Sequence, residues 1–244
     1  MMGRLFLLAA AALAAAALPE PPVAGPALGA RARLIDVDGL RVAPAPSART
    51  AADADTEVAT CANGGLTAAD DYALAGWKAS GTATVYLSRS TIPSNLIGVR
   101  RATQRAFDTW RAAESGVPAM TVVSRGAATA ASANRRNELM WGAVPRGMVA
   151  ATYTWRWSDG RIESDVVFNQ RLPWFLAASR GDGCKEGQPA YDVRNVATHE
   201  FGHVFGMTHP IEGRYESMYA VGYTGETLKR SLGRGDSAGI RALY

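Results

Sequence analysis

Histidine, cysteine and long apolar runs are all scarce in this chain of 244 residues, which contains three His and two Cys. Beyond the N-terminal segment no apolar stretch reaches the roughly 20 residues that a membrane-spanning helix needs. Lys and Arg exceed Asp and Glu by only four, and they are scattered rather than clustered, so we expect no binding to nucleic acid. Hydrophobic residues make up 48% of the chain, which is enough for a core and excludes wholesale disorder.

The N-terminus has the pattern of an export signal. Arg4 gives it a positive start, and an unbroken apolar run extends from Leu5 to Leu18 before a Pro-rich stretch. This run is too short to anchor the chain in a bilayer. We therefore predict a signal peptide within residues 1–29, its cleavage point left open, and a secreted, extracellular protein without membrane attachment after cleavage.

Residues 30–60 differ from the rest of the chain in composition and in hydrophobic periodicity. They are rich in Ala, Pro and Arg, and neither a period of 2 nor one of 3.6 is sustained. This composition predicts a linker or a short pro-segment, followed by a single domain over residues 61–244.

Cys61 and Cys184 are the only cysteines. Export to an oxidising compartment favours a disulfide between them. The alternative is that one thiolate ligates a metal and keeps the protein latent.

The later part of the chain alternates strand and helix patterns. A helix should start after a cap at Ser94 or Asn95, and a second one near Asp192, which is a good N-cap. The order of elements predicts one α+β domain. Strands are expected at 83–87, 120–123 and 138–141, a hairpin over 147–157 and 161–168, and a last helix at about 235–244.

One short motif contains all three histidines of the chain. His199 and His203 are four residues apart, so both project from the same side of a helical turn. Gly206 can adopt a positive φ and end the helix, after which His209 can return as a third ligand. Three protein ligands leave a fourth position open, as a catalytic zinc site requires.

Glu200 directly follows the first of these histidines. It should face a water molecule rather than bind the metal, and could accept the water's proton and pass it to a departing amine. Two alternatives are an ordinary helix carrying histidines and a structural zinc site closed by Cys184. The first is disfavoured by the specific spacing. The second needs a fourth protein ligand, as structural sites usually have, and Cys184 could fill that position only if it stayed reduced and close.

These residues resemble the zinc motif of the metzincin metalloproteases, and the chain over about residues 75–244 is similar to their matrixin branch. The resemblance implies a twisted mixed β-sheet with an edge strand along a cleft, two long helices and a C-terminal helix. It implies one catalytic zinc ion and zinc-dependent endopeptidase activity on extended protein or peptide substrates. It also assigns the Met-turn to Met218 and the substrate-binding edge strand to Gly147, Val149 and Ala150.

The resemblance does not extend to every matrixin feature. No histidine remains for a second, structural zinc, no motif supports calcium, and Cys61 does not lie in a Pro-Arg-Cys-Gly latency motif. We expect a monomer.

Two other functions remain open from the sequence. One is a secreted zinc-binding protein that has lost activity, although the intact Glu200 argues against it. The other is an adhesin or carbohydrate-binding module that uses exposed Trp155, Trp157 and Trp174.

Overall fold

The computed structural model describes residues 31–43, 70–178, 183, 185, 188–211, 213 and 216–244. The proposed signal peptide and both cysteines lie outside this part of the chain, so the signal peptide and the Cys61–Cys184 pairing stay predictions. Among the described residues, no helix combines the length and the apolar character needed to cross a membrane.

A six-stranded mixed sheet forms the centre of the molecule. Four neighbouring strands are parallel, the fifth pairs antiparallel with its neighbours on both sides, and the sixth, at the edge, therefore runs in the same direction as the first four. In spatial order the strands are β1 (Ala32–Asp38), β7 (Ala150–Trp157), β8 (Ile162–Asn169), β6 (Asn137–Gly142), β4 (Ala83–Ser88) and β5 (Met120–Gly126).

Three α-helices in the described part of the chain complete the α+β architecture, and the fold class predicted from the sequence is confirmed. The helices are α1 (Val99–Ala113), α2 (Val193–Phe205) and α3 (Arg234–Leu243). Three pairs of two-residue strands lie outside the main sheet: β2 (Arg41–Val42) with β12 (Val221–Gly222), β3 (Ala73–Leu74) with β11 (Met207–Thr208), and β9 (Trp174–Phe175) with β10 (Tyr191–Asp192).

Helix α1 starts later than the predicted cap. Its N-cap is Gly98 rather than Ser94 or Asn95. The Asn95 side chain instead donates to the carbonyl of Trp174, and Leu96 donates its amide to Pro93 in a turn. The residues before Val99 therefore form a connection to the 174 region, and the helix begins only after it.

Helices α1 and α2 are fastened to each other by aromatic side chains. The rings of Phe107 and Phe201 stack with centroids 3.5 Å apart, and Trp110 Nε1 donates to the carbonyl oxygen of Thr198 at 2.8 Å. Because α2 is buried along nearly its whole length, these contacts hold the histidine-bearing helix inside the main core.

The tryptophans considered for glycan binding are buried. Trp155 and Trp157 pack with Tyr153 in a second apolar cluster, while Trp174 belongs to the main core. Each is at most 4% exposed. The rings pack in the core, and the alternative function that requires them to be exposed loses its support.

The segment predicted as a linker or pro-segment contains ordered structure where it is described. Strand β1 pairs antiparallel with β7, from Ala32 opposite Trp157 to Asp38 opposite Thr152. The strand predicted at 147–157 begins only at Ala150, and it is the second strand of the sheet rather than its edge. β7 is not at the edge because the chain's own N-terminal segment adds a strand, β1, beside it.

Candidate metal centre

Helix α2 begins and ends as its sequence predicts. The Asp192 carboxylate accepts the amide of Asn195 at 2.9 Å, which confirms the N-cap. At the other end Gly206 has φ 106° and the helix stops there. The chain then passes through β11 and returns His209 to the histidines of the helix.

The three histidines converge through one nitrogen each. Nε2 of His199 lies 3.1 Å from Nε2 of His209, and Nε2 of His203 lies 3.2 Å from each of the other two. An ion that holds imidazole nitrogens tetrahedrally at about 2.0–2.1 Å places them about 3.3–3.4 Å apart. In the described part of the chain, this is the only cluster of three or more potential ligands that converges in this way.

The other nitrogen of each ring faces an oxygen atom. Nδ1 of His199 lies 2.6 Å from the Ser217 carbonyl, and Nδ1 of His203 lies 3.0 Å from the Met207 carbonyl. Nδ1 of His209 lies 3.2 Å from Oδ1 of Asp38. Such acceptors keep the proton on Nδ1, which leaves the Nε2 lone pair free.

Three lone pairs that face one another repel unless a cation lies between them, and this donor set suits zinc. Burial lowers the pKa of all three histidines, in the case of His209 to about 3. Neutral imidazole is the form that binds a metal. The residues present therefore fit a zinc ion held by His199, His203 and His209.

Glu200 is fully buried next to this cluster, and burial raises its pKa from 4.5 to about 8. Two hydrogen bonds to the Glu200 carboxylate lower this pKa and so oppose the effect of burial. Thr152 Oγ1 donates to Oε2 at 2.7 Å, and the Leu40 amide donates to Oε1 at 2.9 Å. The carboxyl group is thus fixed in orientation and titrates where it can exchange a proton near neutral pH.

Met218 is 1% exposed and packs against Gly202 of α2. In the sequence, Gly202 lies between the two helical histidines, His199 and His203. The Asp236 carboxylate accepts the amides of Ser217 and Met218. This anchors the turn that carries the methionine and also presents the Ser217 carbonyl to His199.

The residues that precede β7 and strand β12 form the two walls of a cleft, and the chain's own residues 40–43 lie between them. Gly147 and Val149 lie just before β7, and Ala150 is its first residue. All three residues predicted to bind substrate therefore line one side, although an inner strand rather than a sheet edge follows them.

Sequence reasoning missed Asp38, Leu40 and Thr152. Asp38 and Leu40 precede the zinc motif by about 160 residues, and Thr152 is one of two Thr in β7. The one local signal near Asp38 and Leu40 is the Asp-Gly pair at 38–39, which is typical of a turn and does not indicate a site.

An α+β domain whose buried helix carries His-Glu-x-x-His, with a third histidine beyond a glycine cap, defines a metzincin metallopeptidase. The family model of the matrixins (peptidase family M10) matches residues 76–244. The chain belongs to the matrixin family and is a zinc-dependent peptidase that acts on proteins or peptides. No curated protein matched the chain.

Proposed function

We propose that this protein is a secreted zinc endopeptidase that cleaves within extended polypeptides, with Glu200 as general base and then general acid. The observation that carries this proposal is the convergence of three Nε2 atoms within 3.2 Å beside a buried, hydrogen-bonded Glu200. Secretion rests on the signal-like pattern of residues 1–29.

Zinc, when bound, supplies Lewis acidity, which polarises a carbonyl group and makes a water molecule more acidic. The protein supplies the proton transfers. Glu200 accepts a proton from the attacking water and delivers it to the amine that leaves. Thr152 holds the carboxyl group in place, and burial of the site excludes competing bulk water.

The substrate would lie as an added strand between two walls. Backbone groups of Gly147 and Val149 on one side, and of Ala220 and Gly222 on the other, bond an extended segment of the chain itself and would bond a substrate that took its place. Main-chain hydrogen bonds of this kind bind an extended peptide with little dependence on sequence, and pockets for the side chains add the preference.

The test is hydrolysis of a mixed quenched-fluorescent peptide library by the secreted protein. Wild type should cleave internal bonds, stop after chelation and recover on addition of zinc. Glu200→Gln, which preserves the shape of the side chain, should bind one zinc ion and lose activity by at least about a hundredfold.

Glu114→Gln serves as the matched control, since Glu114 lies at the C-terminal end of α1 and its carboxylate accepts bonds from nearby Ser115 and Gly116. It should retain full activity. A folded Glu200→Gln variant that cleaves as fast as wild type would overturn the assigned role of Glu200.

A further inference from the structure

Residues 38–43 of this chain lie in the cleft as a bound peptide would. Val149 donates its amide to the Leu40 carbonyl at 2.7 Å, and Val42 donates to Gly147 at 2.8 Å. On the opposite wall Arg41 donates to Ala220 at 2.8 Å, and Ala43 donates to Gly222 at 3.1 Å. One extended segment therefore bonds to both walls of the cleft.

Strand directions agree with this arrangement. Arg41 forms an antiparallel bridge to Met148, whereas β2 and β12 are parallel. The N-terminal segment thus completes a small three-stranded layer across the cleft, which is the binding mode of an added strand.

Leu40 fills a pocket in this cleft. It is 0% exposed and belongs to the main core, while Arg41 and Val42 beside it are exposed. Its Cδ2 atom lies so close to Gly222 that a β-carbon there would come within 2.5 Å. The pocket therefore accepts a branched aliphatic side chain, and its floor depends on the missing side chain of residue 222.

The peptide bond next to this leucine is the one beside Glu200. The nitrogen of the Gly39–Leu40 bond lies 2.9 Å from Oε1 of Glu200. Gly39 itself packs so tightly against the backbone of Ala150 and Ala151 that no β-carbon fits. A glycine before the bond and a leucine after it are thus what the cleft selects in its own chain.

We propose that Gly39–Leu40 is a self-cleavage site, at which the peptidase activity proposed above acts on the chain's own N-terminal segment. The bond between the Gly39 carbonyl carbon and the Leu40 nitrogen breaks by hydrolysis. The water oxygen becomes part of a new carboxylate on Gly39. Glu200 transfers one proton of the water to the Leu40 nitrogen as the bond breaks, and the second proton of the water follows to the same nitrogen, which becomes a protonated α-amino group.

Cleavage also opens the site to other substrates. While the bond is intact, β1 holds residues 40–43 in the cleft, because six residues of β1 are paired with β7 and the effective concentration of the segment is high. Once the bond is cut, residues 40–43 are no longer tethered to β1 and can exchange with a free peptide.

The first experiment follows the chain itself. Full-length protein is purified with chelator, zinc is added, and intact mass and N-terminal sequence are measured over time. We expect a fragment that ends at Gly39 and a chain that begins at Leu40, formed at a rate per molecule that does not change on tenfold dilution. Glu200→Gln should stay intact.

A pocket variant tests the role of the side chain. Leu40→Asp should slow cleavage at this bond by at least about tenfold, because the apolar pocket cannot accept a charge, whereas Leu40→Met should still be cut. Leu34→Asp is the matched control, since Leu34 lies on β1 but is 37% exposed, and it should be cut like wild type.

A second readout does not depend on turnover. Hydrogen exchange on metal-free protein should show the amides of Leu40, Arg41 and Val42 protected, and Leu40→Asp should remove that protection. Rapid exchange of all three amides in wild type would overturn the placement of the segment in the cleft.

The outcomes separate this inference from the proposed function. If the peptide library is cleaved while the Gly39–Leu40 bond stays intact, or if the chain is cut elsewhere, the self-cleavage site is wrong and the endopeptidase stands. A cleavage rate that scales with protein concentration would also overturn it, because the segment lies in its own cleft. If a folded, zinc-loaded protein cuts neither peptide nor chain, both proposals fail.

Discussion

Gly202 and Met218 are in such close contact that the sulfur of the methionine occupies the place of a β-carbon at position 202. Cζ2 of Trp110 would lie 2.7 Å from the same β-carbon. Position 202, on the inner side of α2, has no room for a side chain. It is a glycine because the Met-turn packs directly against the backbone there.

Gly202→Ala should accordingly destabilise the protein by about 1–3 kcal/mol through overpacking and weaken zinc binding by shifting α2. Denaturant unfolding and zinc titration measure the two effects. The double variant Gly202→Ala, Met218→Ala should recover part of the loss, since the second change makes room for the first. Strict additivity of the two single variants would show that the contact does not matter.

Removal of Thr152's hydroxyl should impair proton transfer without weakening substrate binding. Thr152→Val deletes the 2.7 Å bond to Glu200, and a hydrogen bond to a charged group is worth about 1.5–3 kcal/mol. We expect kcat to fall about tenfold or more, KM to stay unchanged, and the acidic limb of the pH profile to move to higher pH. The last shift follows because the lost donor favoured the ionised carboxylate.

Thr154→Val is the control for this variant. Thr154 lies on the same strand, is equally buried, and its hydroxyl bonds to that of Ser164. Equal losses in both variants would indicate damage to β7 rather than to Glu200.

Zinc should stabilise the fold as well as enable activity. At a free zinc concentration 100 times the dissociation constant, mass action raises the free energy of unfolding by about 2.7 kcal/mol. Differential scanning calorimetry should show a lower thermal midpoint after chelation, restored by zinc but not by magnesium, which prefers oxygen ligands. His209→Ala should remove most of the zinc-dependent increase, and an unchanged increase would contradict its assignment as a ligand.

A buried acidic pair should make stability depend on pH. Burial and the nearby Asp236 carboxylate raise the pKa of Glu216 from 4.5 to about 7. The folded state therefore binds a proton more tightly than the unfolded state. The corresponding stability is fully present below pH 4.5 and is lost as pH rises towards 7.

Glu216→Gln mimics the protonated form at every pH. It should raise the thermal midpoint by about 2–4 °C at pH 8 and leave it nearly unchanged at pH 4. Parallel melting curves of Glu114→Gln provide the baseline. A Glu216→Gln variant with the wild-type pH profile would show that another group causes the dependence.

Local features of the sequence predicted the metal site well. The cap at Asp192, the helical spacing of His199 and His203 and the stop at Gly206 are each set within a few residues, so they could be read without the rest of the fold. The strands of the parallel layer were also found, because each contains a short run of mostly apolar residues.

Strand β1 could not be predicted in this way. Its exposed and half-buried positions do not alternate, and its partner β7 lies more than 110 residues further along the chain. The contacts of Asp38 and Leu40 with the site depend on that distant pairing. The start of α1 was wrong for a related reason, since Asn95 bonds to Trp174 across the fold instead of capping the helix.

The pairing of β1 with β7 also affects whether the edge of the sheet can pair with another molecule. Without β1, the unpaired amides and carbonyls of an eight-residue strand would face solvent beside Tyr153, Trp155 and Trp157. Such an edge is a template for intermolecular pairing and aggregation. β1 covers this side of β7 and becomes the edge strand itself, where the charged residues Arg33, Asp36 and Asp38 oppose pairing with another chain.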